Sequence, residues 1–249
     1  MILRNTRRIM RKLTIVFLLS LFSLLSLQCG LFDFPALEPP RVEQLFLGAG
    51  EVIIIENNPT NDPSVFLGFE LYYRFYNYLT ATSDIAAHGS AISAINQPTP
   101  SDLEQLGFRR VRTIATAGER QPFPMLPVPI GDRGIPFPIT IDFTGIAADN
   151  ENDNPRDRMA RVVYLTKDIP LRRQVTDPDP PSEHLRKYKS FAYITNPHNL
   201  SIIDADINHI PVTNRVTLSL YIFAVGRYDR VHNIFSRPEW LGRIDFSQR

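Results

Sequence analysis

Phe66-Leu67-Gly68-Phe69-Glu70-Leu71-Tyr72-Tyr73-Arg74-Phe75-Tyr76-Asn77-Tyr78 is the stretch on which the fold turns. Phe69, Leu71, Tyr73 and Phe75 alternate with Glu70, Tyr72, Arg74 and Tyr76, and a period of two puts the first set on the core face of a β-strand. Tyr72, Arg74, Tyr76 and Tyr78 share the outward face. Tyr and Arg are enriched at binding hot spots, so these four residues form a candidate contact surface. The alternative is a further layer, such as a helix, that covers the rings and makes them core. Solvent exposure of Tyr72 and Tyr76 separates the two readings.

A second long strand is expected over Val216–Gly226. Val216, Leu218, Leu220, Ile222 and Ala224 share one face, and Tyr221, Phe223 and Val225 the other, which predicts cover on both sides near its end. Glu239 to Phe246 reads as the last strand. Ahead of the aromatic strand, Val42 to Leu47 and Val52 to Glu56 form an expected antiparallel pair across Gly48-Ala49-Gly50, closed by the turn cluster Asn57-Asn58-Pro59-Thr60-Asn61-Asp62-Pro63. Further strands fit Phe108–Ala115, Ile139–Phe143, Ala160–Thr166 and Tyr188–Ile194. This order of elements resembles a fibronectin type III or other immunoglobulin-like fold. The resemblance implies a mainly β, antiparallel β-sandwich with short helical and proline-rich loop insertions.

The 21 prolines lie well above the ~5% average and keep helices short. Ser83 to Ile95 is one helix candidate, with Ile85, His88, Ile92 and Ile95 able to share a face across Gly89. A second, shorter helix is expected after Pro98 and Pro100, with Ser101 and Glu104 as its capping box and Gly107 as its stop. Gln121 to Pro138 reads as a proline-rich loop.

The opening of the chain has a different character. Arg4, Arg7, Arg8, Arg11 and Lys12 precede a 15-residue apolar run, Leu13 to Leu27, and no acidic residue occurs before Asp33. A run of that length falls short of the ~20 residues a spanning helix needs and suits a signal-peptide core. It ends at Leu25-Ser26-Leu27-Gln28-Cys29-Gly30, where the single cysteine of the chain stands at the expected cleavage point. This segment resembles the bacterial lipoprotein signal family. It departs from the common pattern at Ser26 and Gln28, in the manner of looser spirochaete boxes. The resemblance implies cleavage before Cys29 and attachment of lipid to its sulfur. Two other readings stand beside it: an uncleaved signal anchor blocked by Gln28, and twin-arginine export directed by Thr6-Arg7-Arg8-Ile9-Met10-Arg11-Lys12.

The expected organisation is therefore a signal peptide over 1–28, a lipidated tether over 29–40 and one β-sandwich-like domain over 41–249. Two or three acyl chains, as lipoproteins of this family carry, hold a protein on a bilayer where one alone binds reversibly. Loss of residues 1–28 removes five basic and no acidic groups, taking the formal balance from +1 to −4. A mildly acidic surface is not that of a nucleic-acid-binding protein.

Residues able to carry chemistry are scattered. His88, His184, His198, His209 and His232 include no pair at a metal-ligand spacing, and Cys29 is taken by the anchor, so no metal or other cofactor is expected. Asp149-Asn150-Glu151-Asn152-Asp153-Asn154 begins like a calcium loop, but Asn154 and Ala160 stand where an EF-hand needs Gly and a bidentate Glu. Asp204-Ala205-Asp206-Ile207-Asn208 reads as a turn. Neither a Gly-x-Ser-x-Gly elbow nor a phosphate-binding glycine loop occurs. The expectation is a non-catalytic, membrane-anchored cell-envelope lipoprotein, on the periplasmic face or the outside, meeting the bilayer through acylated Cys29 and an envelope protein or glycan through its folded part. The alternative is a lipid-anchored envelope hydrolase, whose paired carboxylates a sequence does not display.

Overall fold

The computed structural model describes residues 35–44, 52–113, 121–144, 160–175, 188–191, 205–207, 209–210, 215–229 and 231–247. Residues 1–34, Cys29 among them, His184, His198 and the acidic loop from Asp149 lie outside them. All the described elements belong to the compact unit Ala36–Arg249.

The fold is mainly β and antiparallel throughout. One sheet takes the order β1-β2-β6-β7-β8, from β1 (Arg41–Gln44), β2 (Val52–Glu56), β6 (Pro138–Asp142), β7 (Arg161–Tyr164) and β8 (Lys167–Pro170). The other is built on β3 (Phe66–Asn77) and β11 (Arg215–Tyr228), which pair from Phe66↔Gly226 to Asn77↔Val216. The free edge of β3 takes β4 (Arg109–Arg110) and β5 (Leu126–Pro127). The free edge of β11 takes β12 (His232–Phe235) and β13 (Glu239–Ser247). β9 (Arg172–Gln174) and β10 (Tyr188–Ser190) form a two-stranded ribbon, joined beyond β4 by the Arg112↔Arg172 bridge. The chain thus crosses from one sheet towards the other at Leu171, whose N–H donates to the Ala160 carbonyl.

The expected core face of β3 is the core face. Phe69, Leu71, Tyr73 and Phe75 meet Leu218, Leu220 and Ile222 of β11, and the facing sheet supplies Ile53, Ile55, Ile139, Ile141 and Val162. Each large aliphatic or aromatic side chain so buried contributes roughly 1.5–3 kcal/mol, and that gain from two facing sheets is what orders the sandwich.

The second face of β3 and β11 is covered as well. Helix α1 (Ala81–Ala94) and helix α2 (Pro100–Gln105) lie on it. Ile92, Leu103 and Phe108 pack with Tyr72, Tyr221 and Phe223, while Ala81 and Ile85 pack on Tyr76. The molecule is therefore a sandwich with a third, helical layer.

Several sequence expectations shift in detail. The capping box of α2 is Thr99 with Asp102, not Ser101 with Glu104: the Thr99 N–H donates to Asp102 Oδ2 at 2.7 Å, with Pro100 in the first turn. Gly107 does end the segment, with φ at +82°, a conformation that costs glycine little. Residues 36–40, expected to lie outside the folded domain, include the buried Leu37 and Glu38, which exchanges two hydrogen bonds with the Asn61 side chain. Packing thus starts before Arg41.

Candidate functional site

Tyr72 and Tyr76 are 4% and 3% exposed, so the face that carries them is core and offers no contact surface. Tyr72 meets Phe223 edge to face. The Tyr76 hydroxyl lies 2.9 Å from His88 Nδ1. Arg74 does not reach outward; its guanidinium lies over the Tyr76 ring, 5.4 Å from the centroid, and fills the space left beside Gly107. Tyr78 alone of the four is exposed, at 37%, beneath the Arg215 guanidinium.

The described histidines are likewise engaged locally. His209 sits 3.2 Å from the Phe75 carbonyl, and His232 contacts Asp229 three residues before it. Among the described residues no three His, Cys, Asp or Glu side chains converge on a common point.

Two charged clusters are built into the fold. Glu70 accepts from both Nε and Nη2 of Arg110 and from the Met125 N–H at 2.8 Å, tying β3 to β4 and to the start of β5. Burial pushes its carboxyl above the usual range, against the pull of Arg110. Asp206 accepts from Arg173 at 2.8 Å and from the Tyr73 hydroxyl at 3.0 Å. The Gln174 N–H in turn donates to that hydroxyl. Asp206, expected only as a turn residue, is thus a buried counterion that seats β9 on β3. Both clusters are enclosed and hydrogen-bonded within the protein, which assigns them to structure.

An opening in the described fold lies between α1 and β13, a groove of about 730 Å³, within the ~300–1,000 Å³ usual for ligand sites. Ala86, Gly89 and Ser93 supply the helix wall and the Tyr221 ring the floor, while Glu239, Trp240 and Arg243 supply the far wall. Gly89 brings the helix close: a Cβ built there would stand 3.6 Å from the Tyr221 hydroxyl.

The far wall exists because β13 is bulged. Leu220 pairs with Gly242 but Tyr221 pairs with Trp240, so Leu241 is the extra residue, next to Gly242 with φ at +107°. A bulge re-aims the side chains beyond it. Leu241, Ile244 and Phe246 stay in the core, whereas Trp240 stands on the helix side, 38% exposed. Its indole N–H donates to Ser219 Oγ at 3.0 Å, which holds the ring in place.

Two arginines frame the groove. Arg243 Nη1 donates to Thr82 Oγ1 at 2.7 Å, and Arg237 Nη2 donates to the Asn96 carbonyl beyond the end of α1 at 3.3 Å. Glu239 is half-buried between them in sequence and has no cationic partner among the described residues. Burial raises its carboxyl above the ordinary range, and its charge, after burial, helps to raise the Tyr221 hydroxyl. Trp240, Glu239 and Gly89 were not singled out as site residues by sequence, because the groove joins three separated segments.

Comparison of the chain with protein-family models, curated proteins and solved structures finds no match.

Proposed function

We propose that this chain is a non-catalytic, lipid-anchored cell-envelope lipoprotein, fixed to a bilayer through Cys29, whose sandwich binds a partner in the groove between α1 and β13. The observation that carries the binding role is the groove itself: small helix residues face a fixed, exposed indole across an aromatic floor, with few polar groups among them. Ligand sites share this make-up, a mostly apolar cleft in which a few polar groups set orientation. The anchor rests on the basic start, the 15-residue apolar run and the single cysteine after it. Among the described residues no helix is long and apolar enough to cross a membrane.

The strand order supports an immunoglobulin-like ancestry for the sandwich. β2 pairs with β6, β3 with β11 and β11 with β13, which corresponds to the B–E, C–F and F–G pairings of that architecture. β7 and β8 extend the first sheet.

Intact mass of the membrane-extracted protein, measured beside Cys29→Ala, tests the anchor. The native chain is expected to begin at Cys29 with added acyl mass, and the variant to lose both acyl mass and membrane retention. A native chain that keeps residues 1–28, or one that washes into buffer, overturns it.

A further inference from the structure

We infer that the groove between α1 and β13 is selective for an organic cation on an apolar stem, such as the lysine or arginine side chain of a partner protein, received by Glu239 and Trp240. This deepens the binding role proposed above and does not depend on the anchor.

Arg243 donates to Thr82 and lies 3.9 Å from Asp245, and Arg237 is held by Asn96. Trp240 spends its N–H on Ser219. The Glu239 carboxylate is the unmet group: half-buried at the groove wall, close enough for its charge to act on the Tyr221 hydroxyl, and without a hydrogen-bonding or cationic partner among the described residues. A partly desolvated carboxylate is stabilised by a cation or by donors. The ring of Trp240 attracts a cation over its face. Lysine and arginine carry their charge on a methylene stem that packs on apolar surface, and the walls at Ala86 and Gly89 leave room for such a stem. Arg237 and Arg243 repel a ligand cation from either side, so its resting point is Glu239. Across the bulge Glu239 pairs with Ile222 and Arg243 with Ser219, three residues apart on β11, or about 10 Å at ~3.3 Å per residue.

Trp240 is the single tryptophan of the chain, so intrinsic emission reports this groove directly. The detergent-solubilised full chain is titrated with n-butylammonium, n-butylguanidinium, butyrate and n-butanol. A saturable change in emission is expected with the two cations, with Glu239→Gln weakening their binding at least tenfold and butyrate giving none. Ala86→Leu, which fills the groove from the helix wall and leaves the carboxylate intact, is expected to abolish binding as well. Equal binding of butanol and butylammonium, unchanged cation binding in Glu239→Gln with native-like melting, or no saturable response in the native chain would each overturn the inference. The mass measurement on Cys29 reads the anchor separately, so neither result can stand in for the other.

Discussion

Replacing Glu70 tests how the second face of the sandwich is held. Glu70 is 1% exposed and Arg110 17%, and the same carboxylate accepts from the Met125 N–H. Glu70→Ala leaves the Arg110 guanidinium without its counterion and the buried Met125 N–H without its acceptor. Breaking a buried pair from one side costs about 3–5 kcal/mol. Arg110 keeps a hydrogen bond to the Pro122 carbonyl and some solvent, so the low end applies, about 3 kcal/mol. The orphaned amide adds about 1 kcal/mol. A loss of about 4 kcal/mol in a fold of this size lowers the melting temperature by roughly 10 °C. Glu70→Gln keeps an acceptor for Met125 and should lose about half as much, and Glu70→Leu with Arg110→Met should recover most of the loss, since well-packed apolar pairs replace buried ions at little cost. Urea and thermal denaturation followed by circular dichroism measure all of these. A Glu70→Ala variant within about 1 kcal/mol of native, or a double variant no better than the single, would refute the assignment of this pair as a tie between β3, β4 and β5.

Gly89 lies inside α1, where glycine costs about 1 kcal/mol relative to alanine. The added Cβ meets Tyr221 at an ordinary 3.6 Å, so Gly89→Ala is expected to raise the melting temperature by about 2–3 °C while narrowing the groove; a lower melting temperature would show that the helix wall is already tight. His88 and His209 are both shifted below their ordinary pKa, first by burial and then by nearby arginine charge. In the fold both take up a proton less readily than in the unfolded chain, which does so near pH 6.5. Stability is therefore level above that pH and falls as the pH drops below it, and His88→Asn should flatten the fall in a series of urea midpoints taken from pH 7.5 to 5. An unchanged slope would remove His88 from the account.

Where the pattern is long, sequence and structure agree. Phe66–Tyr78 and Val216–Gly226 each hold a period of two through many residues, and β3 and β11 form there with the expected core faces. Short elements escape such reading: β5, β8, β9 and β12 run for two to four residues, too few for a period to show. The contact-surface reading of Tyr72, Arg74, Tyr76 and Tyr78 fails for another reason. Alternation assigns a residue to a face, but it does not say whether a helix 10 or 20 residues further on will cover that face. Ser101 and Glu104 carry a capping-box spacing, yet Thr99 and Asp102 have the same spacing two residues earlier and include Pro100 in the first turn. Trp240 is the plainest case of a hidden residue. A period of two carried back from Phe246 and Ile244 puts it in the core, and only the bulge at Leu241 turns it towards α1.

The pairing of β3 with β11 also has a consequence for how the molecule is made. Tyr72 faces Tyr221 across the sheet, so the central ladder joins segments that emerge far apart in time from a ribosome or a translocation pore. Until Arg215 and the residues after it are released, the aromatic strand has no neighbour on that edge, and its rings are open to association with other chains. Fold assembly is expected to wait for β11 and to be slow, as topologies of high contact order are. Such a chain gains from a holding chaperone during synthesis, and a stop codon anywhere before β11 would yield a sticky fragment, not a smaller working protein.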